Sequence, residues 1–189
     1  MSNEVNYWYN IGYDESNHGQ YPEICVITAS NNPEDIVPQD PMIGKKRSNH
    51  DTLRLRLREK EYRFLLFDYA DRERLYDPKL EIDSGYKKFG VILGSLIYDL
   101  PIKDRLNIYI DGDWTQQKIE YAVDLICDLK SLKRAKVKTF FGGKVDRIFN
   151  LTNISDELAH SFFPQLTFKT LRDHPNRVNL RLEELLLQT

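Results

Sequence analysis

The sequence has few of the features that mark membrane proteins, disulfide-rich domains or redox motifs. Among its 189 residues are only two cysteines, Cys25 and Cys127, and neither belongs to a Cys-x-x-Cys pair. No apolar run approaches the roughly 20 residues that cross a bilayer, and Met1 to Glu4 lack the basic start of a signal peptide. We therefore expect no membrane association, two buried reduced thiols and a cytoplasmic location.

The chain also lacks a strong excess of either charge. Its formal net charge of −2 argues against bulk electrostatic binding of nucleic acid but leaves room for a local basic patch. Hydrophobic residues make up 41% of the chain, which is enough for a real core. We expect one domain over residues 1–189, with a core at about 7–163 and a helical extension at 164–189.

The pattern of apolar residues predicts strands in the first part and alternating helices and strands in the second. Strands are predicted at 7–13, 23–29, 62–67, 106–110 and 135–141, and helices at 86–98, after Thr115, at 153–163 and at 177–187. The segment 31–44, with three prolines, reads as a surface loop. Alternating strands and helices imply parallel pairing with right-handed crossovers, so the predicted fold class is α/β, with a mixed sheet and helices on its faces.

The segment from residue 51 to 58 allows two interpretations. Leucines at 53, 55 and 57 alternate with Arg54, Arg56 and Arg58, which favours a strand with one basic face, but a short helix from Ser48 fits nearly as well. These arginines form the best basic patch together with Lys45, Lys46 and Arg47. The patch could bind a phosphate backbone, or it could be an ordinary solvated face that Glu59 and Glu61 dilute.

Acidic residues stand at the ends of separate predicted elements. Asp14 and Glu15 follow the first strand, Asp111 follows the strand at 106–110, and Asp156 opens the helix at 153–163. If the two strands are neighbours, Asp14 and Asp111 approach each other at their carboxyl ends, where ligands bind in α/β sheets. Carboxylate oxygens suit Mg²⁺. Asp156 also has a simpler explanation, because it would lie in the first turn of a helix capped by Asn153, where carboxylates are favoured by the helix dipole.

These acids and their order resemble the ribonuclease H-like superfamily. The run Gly12-Tyr13-Asp14-Glu15-Ser16-Asn17-His18-Gly19 is similar to the Gly-x-Asp-Glu-x-Gly-Arg-Gly opening of type II ribonuclease H, and also to relatives that begin with Asp-Glu-Ser. The resemblance implies a five-stranded mixed sheet with helices on both faces. It implies metal-site acids at Asp14, Glu15, Asp111 and Asp156, and two-metal hydrolysis of RNA or an RNA/DNA hybrid with Mg²⁺ or Mn²⁺. The helix at 86–98 lacks the glutamate of type I enzymes, so Glu15 would supply that ligand.

The sequence departs from the type II pattern where that family senses ribose. Asn17 and His18 stand where the family has Gly-Arg, so they are the residues expected to contact nucleic acid there, with a different preference. His18 could instead bond nearby backbone, and His160 could either shuttle protons or pair with Asp156. The alternative function is a catalytically inactive ribonuclease H-like module that binds nucleic acid or a protein partner.

Overall fold

The computed structural model describes residues 8–16, 20–38, 50–76, 84–165 and 169–186. The strands are β1 (Trp8–Ser16), β2 (Glu23–Ser30), β3 (Glu61–Phe67), β4 (Arg105–Asp111) and β5 (Val137–Gly142). The α-helices are α1 (His50–Arg56), α2 (Tyr69–Leu75), α3 (Ser84–Ile97), α4 (Gln116–Lys130), α5 (Val145–Ile148), α6 (Asn150–Phe162), α7 (Lys169–Arg172) and α8 (Leu182–Leu186). Short 3₁₀ turns lie at Pro33–Ile36, Arg134–Lys136 and Phe163–Gln165.

The five strands form one mixed sheet in the order β3-β2-β1-β4-β5. β1 pairs antiparallel with β2 and parallel with β4, and β4 pairs parallel with β5. Each parallel step contains a helix, because α4 links β4 to β5 and α3 precedes β4. The predicted mixed sheet is confirmed, and so is the condition that β1 and β4 are neighbours.

One face of the sheet is apolar and packs under α3 and α4. Ile11 of β1, Ile108 of β4 and Ile126 of α4 are fully buried in one cluster. Thr115 caps α4 as predicted, accepting a bond from the Lys118 backbone N–H at 3.4 Å. Cys25 and Cys127 are both buried and free, in agreement with the sequence.

The opposite face is covered by α6 and contains more polar groups. Gly12 lies where α6 crosses β1, and an added Cβ there would come within 2.3 Å of the Leu151 carbonyl carbon. The Ser155 hydroxyl lies 2.9 Å from the Gly12 carbonyl oxygen and 3.0 Å from the Thr28 hydroxyl. This close contact fixes the beginning of α6 against the middle of the sheet.

One choice that the sequence left open is decided, and one local prediction was wrong. Residues 50–56 form helix α1, the second of the two interpretations, since Leu53 packs into the core under α6 while Leu55 is 68% exposed. Helix α6 begins at Asn150, so Asn153 is not its cap but lies buried within it. Its apolar stripe starts at Leu151 and continues through Ile154 and Leu158, one turn earlier than the sequence suggested.

The C-terminal segment contains two short helices joined by an extended stretch. Arg177 bridges Phe64 in parallel, and the Val178 N–H donates to the Phe64 carbonyl at 2.9 Å, which covers the edge of β3. α8 contributes Leu182 and Leu185 to the main core. In the part of the chain that the structure describes, no helix is long and apolar enough to cross a membrane.

Candidate active site

The acids of β1 and β4 meet at the carboxyl ends of these parallel strands. Their pairing runs to Tyr13 opposite Ile110, so Asp14 and Asp111 occupy the next positions on neighbouring strands. Adjacent strands lie about 4.8 Å apart. β1 continues to Ser16 and pairs with β2 there, so Asp14 and Glu15 belong to the strand instead of following it.

A cavity of about 300 Å³ opens at this edge of the sheet. It is lined by Asp14, Glu15, Asp111, Gly112, Asp113, Trp114 and Lys118. Three of the four predicted metal-site acids therefore share one cavity. Acidic groups outnumber the basic group Lys118 in this lining, which makes the cavity suited to a cation.

A further acid, Asp146 of α5, lies against Asp111. The Asp146 backbone N–H donates to Asp111 Oδ1 at 3.3 Å, and Asp146 is 7% exposed. Burial, followed by the negative charge of Asp146, raises the pKa of Asp111 above its ordinary value of 3.8. Two carboxylates held this close repel each other, and a bound cation would relieve that repulsion.

Glu15 and Asp14 are held by local hydrogen bonds. The buried Tyr13 hydroxyl donates to Glu15 Oε2 at 2.8 Å, and the Glu15 backbone N–H donates to Asp14 Oδ1 at 2.7 Å. Burial raises the pKa of Tyr13 well above its ordinary range, with the nearby Cys25 and Glu15 adding to the effect, so its hydroxyl remains a donor. Tyr13 in turn packs edge-on against Phe89 at 5.2 Å.

The turn after β4 shapes the wall of the cavity. Gly112 has φ of 112°, which side chains rarely adopt, and the Trp114 indole N–H donates to the Asp111 carbonyl at 2.8 Å. The Trp114 ring packs against Phe89 at 4.2 Å. The Lys118 ammonium lies over that ring, 5.6 Å from its centre, and brings one positive charge to the acidic cavity.

Asp156 is not among the residues that line the cavity. It lies in the middle of α6, where its Oδ1 is 3.4 Å from His160 Nε2. This is the pairing that the sequence offered as one of two roles for His160. The proposed ligand role of Asp156 stays a prediction.

The predicted basic patch divides into residues with different environments. Arg56 turns inward, where its guanidinium donates to Glu157 Oε1 at 2.8 Å and to the side-chain oxygens of Asn150 and Asn153, each at 2.7 Å. Arg56 therefore joins α1 to α6, while Arg54 and Arg58 are exposed.

The other residues predicted to contact nucleic acid lie outside the described residues; they are Asn17, His18, Lys45, Lys46 and Arg47.

The chemistry of the acids fits a divalent cation, since Mg²⁺ and Mn²⁺ take oxygen ligands. Within the described ranges, however, no three His, Cys, Asp or Glu side chains are arranged to hold an ion. Asp14 and Glu15 instead direct oxygens toward the Glu15 N–H and the Tyr13 hydroxyl.

Sequence reasoning missed Asp146. It lies four residues beyond the end of β5, on a helix of one turn that shows no periodic pattern. One signal was present: like Asp14 and Asp111, it is an acid near the carboxyl end of a parallel strand.

Comparison with known proteins finds similarity between this chain and solved structures only. No protein-family model matches the chain, and no curated protein matches it significantly. It is similar to Bst-RNase HIII in complex with Mn²⁺, at 14% identity and a TM-score of 0.49, covering 86% of this chain and 54% of that one. The chain is also similar to a point mutant of Bst-RNase HIII, at 16% identity and a TM-score of 0.49, covering 82% of this chain and 52% of that one.

A third similar structure is the RNase HII of a PCNA:RNase HII complex from Archaeoglobus fulgidus. It gives 16% identity and a TM-score of 0.47, covering 82% of this chain and 72% of that one. The chain spans about half the length of the two RNase HIII chains. The observed five-stranded mixed sheet, in the order β3-β2-β1-β4-β5 with helices on its faces, agrees with the fold that the sequence resemblance implied.

Proposed function

We propose that this chain is a metal-dependent nuclease that hydrolyses phosphodiester bonds of RNA or an RNA/DNA hybrid. The observation that supports the proposal best is the meeting of Asp14 and Asp111 at the ends of adjacent parallel strands, in one cavity with Glu15. Asp146, whose N–H binds Asp111, is the fourth acid that the geometry favours. Asp156 is the fourth acid that the sequence resemblance favours.

The residues of the cavity have separable roles in this proposal. Asp14 and Asp111 would supply oxygen ligands from a rigid sheet, and Glu15 a third from the same strand end. Mg²⁺ or Mn²⁺, when bound, would activate the attacking water and stabilise the leaving oxygen. Lys118 would attract a phosphate group to the cavity rim, and Trp114 would hold the turn after β4 in place.

The electrostatics of Asp111 support this assignment. Its pKa is raised by burial and by Asp146, so these acids are held together at a cost to stability. Such a cost is typical of functional sites.

A cleavage assay tests the proposal. The purified chain is incubated with a fluorescently labelled RNA/DNA hybrid in Mg²⁺ or Mn²⁺, with EDTA as the metal-free arm and duplex DNA as a second substrate. We expect Asp14→Asn and Asp111→Asn each to lower the rate about 100-fold or more, because several kcal/mol of charge stabilisation depends on the ions. Asp104→Asn, at an exposed acid paired with Lys136, is the matched control and keeps the wild-type rate.

Activity that survives Asp14→Asn, or that EDTA leaves untouched, would remove the assigned roles.

The second candidate is a non-catalytic ribonuclease H-like module. It is favoured by the absence, among the described residues, of three acids in a ligating arrangement. This alternative predicts binding of RNA or hybrid without cleavage in any divalent metal, with the same affinity in Asp14→Asn as in the wild type.

A further inference from the structure

An aromatic surface lies beside the acidic cavity on the outer part of the sheet. Helix α6 lies across β1 and β2, and on the same side β4 and β5 carry Tyr109 and Phe140. Phe149, between α5 and α6, packs on both of them. We call Tyr109, Phe140 and Phe149 the β5 platform.

The platform is built as a stack with one open face. The rings of Tyr109 and Phe140 lie 4.9 Å apart and within 7° of parallel. Tyr109 is 3% exposed, whereas Phe140 is 43% exposed. The buried Tyr109 ring therefore supports one face of Phe140 while part of the Phe140 surface faces solvent.

Three basic residues lie close to the platform residues in the sequence. Lys138 lies two residues before Phe140 and so on the same face of β5, while Lys144 and Arg147 follow the turn after β5. All three are exposed, and none forms an ion pair with another described residue. By contrast Lys136, just before β5, pairs with Asp104 at 3.1 Å.

The platform is also close to the candidate site. Phe140 pairs with Tyr109, and two positions further Gly142 pairs with Asp111. Two residues along a strand span about 6.6 Å. A group stacked on Phe140 would thus lie on the same side of the sheet as Asp111, two positions back along the strands.

We propose that the β5 platform, with Lys138, Lys144 and Arg147, binds one strand of nucleic acid, with a base or sugar stacked on the open face of Phe140. The inference rests on the proposed function and adds the path of its substrate. A single exposed ring with three exposed basic residues nearby in the sequence suits a polyanion with flat bases. A protein partner would instead favour a broader apolar surface, since Phe140 alone among the platform rings is exposed.

Fluorescence anisotropy with labelled RNA/DNA hybrid and single-stranded RNA, measured in EDTA, tests this without cleavage. Phe140→Ala is expected to raise the Kd about 5- to 100-fold, the range for loss of one stacked base. Phe140→Trp is expected to keep or improve affinity. Phe163→Ala is the matched control, because Phe163 is 46% exposed but lies after α6, and it is expected to leave the Kd unchanged.

The salt dependence of binding tests the cations. Lys138→Ala, Lys144→Ala and Arg147→Ala are each expected to reduce the slope of log K against log salt by about 0.7 to 0.9. Lys136→Ala, whose ammonium is paired with Asp104, is expected to leave the slope unchanged.

The outcomes separate this inference from the proposed function. Wild-type affinity in Phe140→Ala, in a chain that still cleaves, overturns the platform alone. A wild-type chain that neither binds nor cleaves nucleic acid overturns the proposed function and the platform with it. If Phe140→Ala does not fold, Phe140→Leu, which lacks the flat ring, must show the loss. If Phe140→Ala dissociates a dimer in sizing experiments, the face is a contact between copies and the inference is wrong.

Discussion

The two faces of the central strands β1 and β4 differ in polarity, although alternate residues of the same two strands form both faces. Toward α3 and α4, β1 and β4 present Ile11, Ile108 and Ile110, all essentially without exposure. Toward α6, they present mostly polar or small residues, listed in chain order as Asn10, Gly12, Asp14, Asn107, Tyr109 and Asp111. Apolar burial therefore stabilises β1 and β4 mainly from one side, and their other side keeps polar groups that burial alone does not favour.

The polar face is stabilised by specific hydrogen bonds. Asn107 Nδ2 donates to Asn10 Oδ1 at 2.8 Å near the start of the strands, and the Ser155 hydroxyl meets the Gly12 carbonyl near their middle. At the carboxyl ends of the same face lie the acids Asp14 and Asp111, which line one cavity. The difference between the faces thus points to the end of the polar face as the functional region.

The largest expected effect comes from filling the space between β1 and α6. Gly12→Ala would place a Cβ 2.3 Å from backbone atoms of Leu151 and Thr152, which cannot move independently of α6. We expect a loss of about 3 kcal/mol or more in the free energy of unfolding, measured by urea denaturation. Gly90→Ala is the matched control on the other face, because its nearest contact is the Tyr121 ring at 2.8 Å.

The Tyr121 side chain can shift, and alanine is more favourable than glycine within helix α3 by about 1 kcal/mol. Equal losses in the two variants would show that the close approach of α6 to Gly12 is not what fixes the polar face.

The next effect tests whether Arg56 is structural. Arg56→Met removes the bonds to Glu157, Asn150 and Asn153 and leaves the Glu157 carboxylate, with a side chain only 4% exposed, without its guanidinium partner. We expect a loss of about 2 kcal/mol in stability, in the range of hydrogen bonds to charged groups. Arg54→Met, at an exposed position of the same helix, is expected to change stability by less than about 0.5 kcal/mol.

The comparison is then repeated in a nucleic-acid binding assay. If Arg54→Met destabilises the chain as much as Arg56→Met, the division of the basic patch into inward and outward residues is wrong.

The smallest effect is a dependence of stability on pH. The pKa of Asp111 is raised in the folded chain by burial and by Asp146, so the folded state binds this proton more tightly than the unfolded state. The ionised carboxylate at neutral pH therefore lowers stability. We expect Asp111→Asn to be more stable than the wild type at pH 7, and the difference to shrink as pH falls through the folded pKa, which is above 3.8.

Thermal unfolding across this pH range in low salt without divalent metal measures the difference. The exposed-site control Asp104→Asn is expected to show no comparable growth of stability with pH. An advantage of Asp111→Asn that is independent of pH would contradict the raised pKa.

Periodicity was enough to predict the parts of the fold that are governed by local patterns. The alternation in β1 and β4 placed Asp14 and Asp111 on the same side, and Thr115 marked the start of α4. The leucine and arginine alternation at 53–58 was misleading, because the choice between strand and helix depended on whether Leu53 could reach the core under α6. Local sequence does not contain that tertiary contact.

The site was predicted in part for a similar reason. Asp14, Glu15 and Asp111 lie at the carboxyl ends of strongly patterned strands, whereas Asp146 lies on a one-turn helix after Gly142 and Gly143. Its position depends on how the chain turns at the end of β5. Asp156 was favoured by the family resemblance alone, and its ligand role stays a prediction.

The central claim is that the acids at the carboxyl end of the polar face form the metal site. Calorimetric titration of Mn²⁺ into the wild-type chain, Asp146→Asn and Asp156→Asn tests it most directly. The account predicts that the wild type and Asp156→Asn bind Mn²⁺ with similar affinity, while Asp146→Asn binds at least about 10-fold more weakly. Loss of binding in Asp156→Asn but not in Asp146→Asn, or no binding by the wild type, would contradict it.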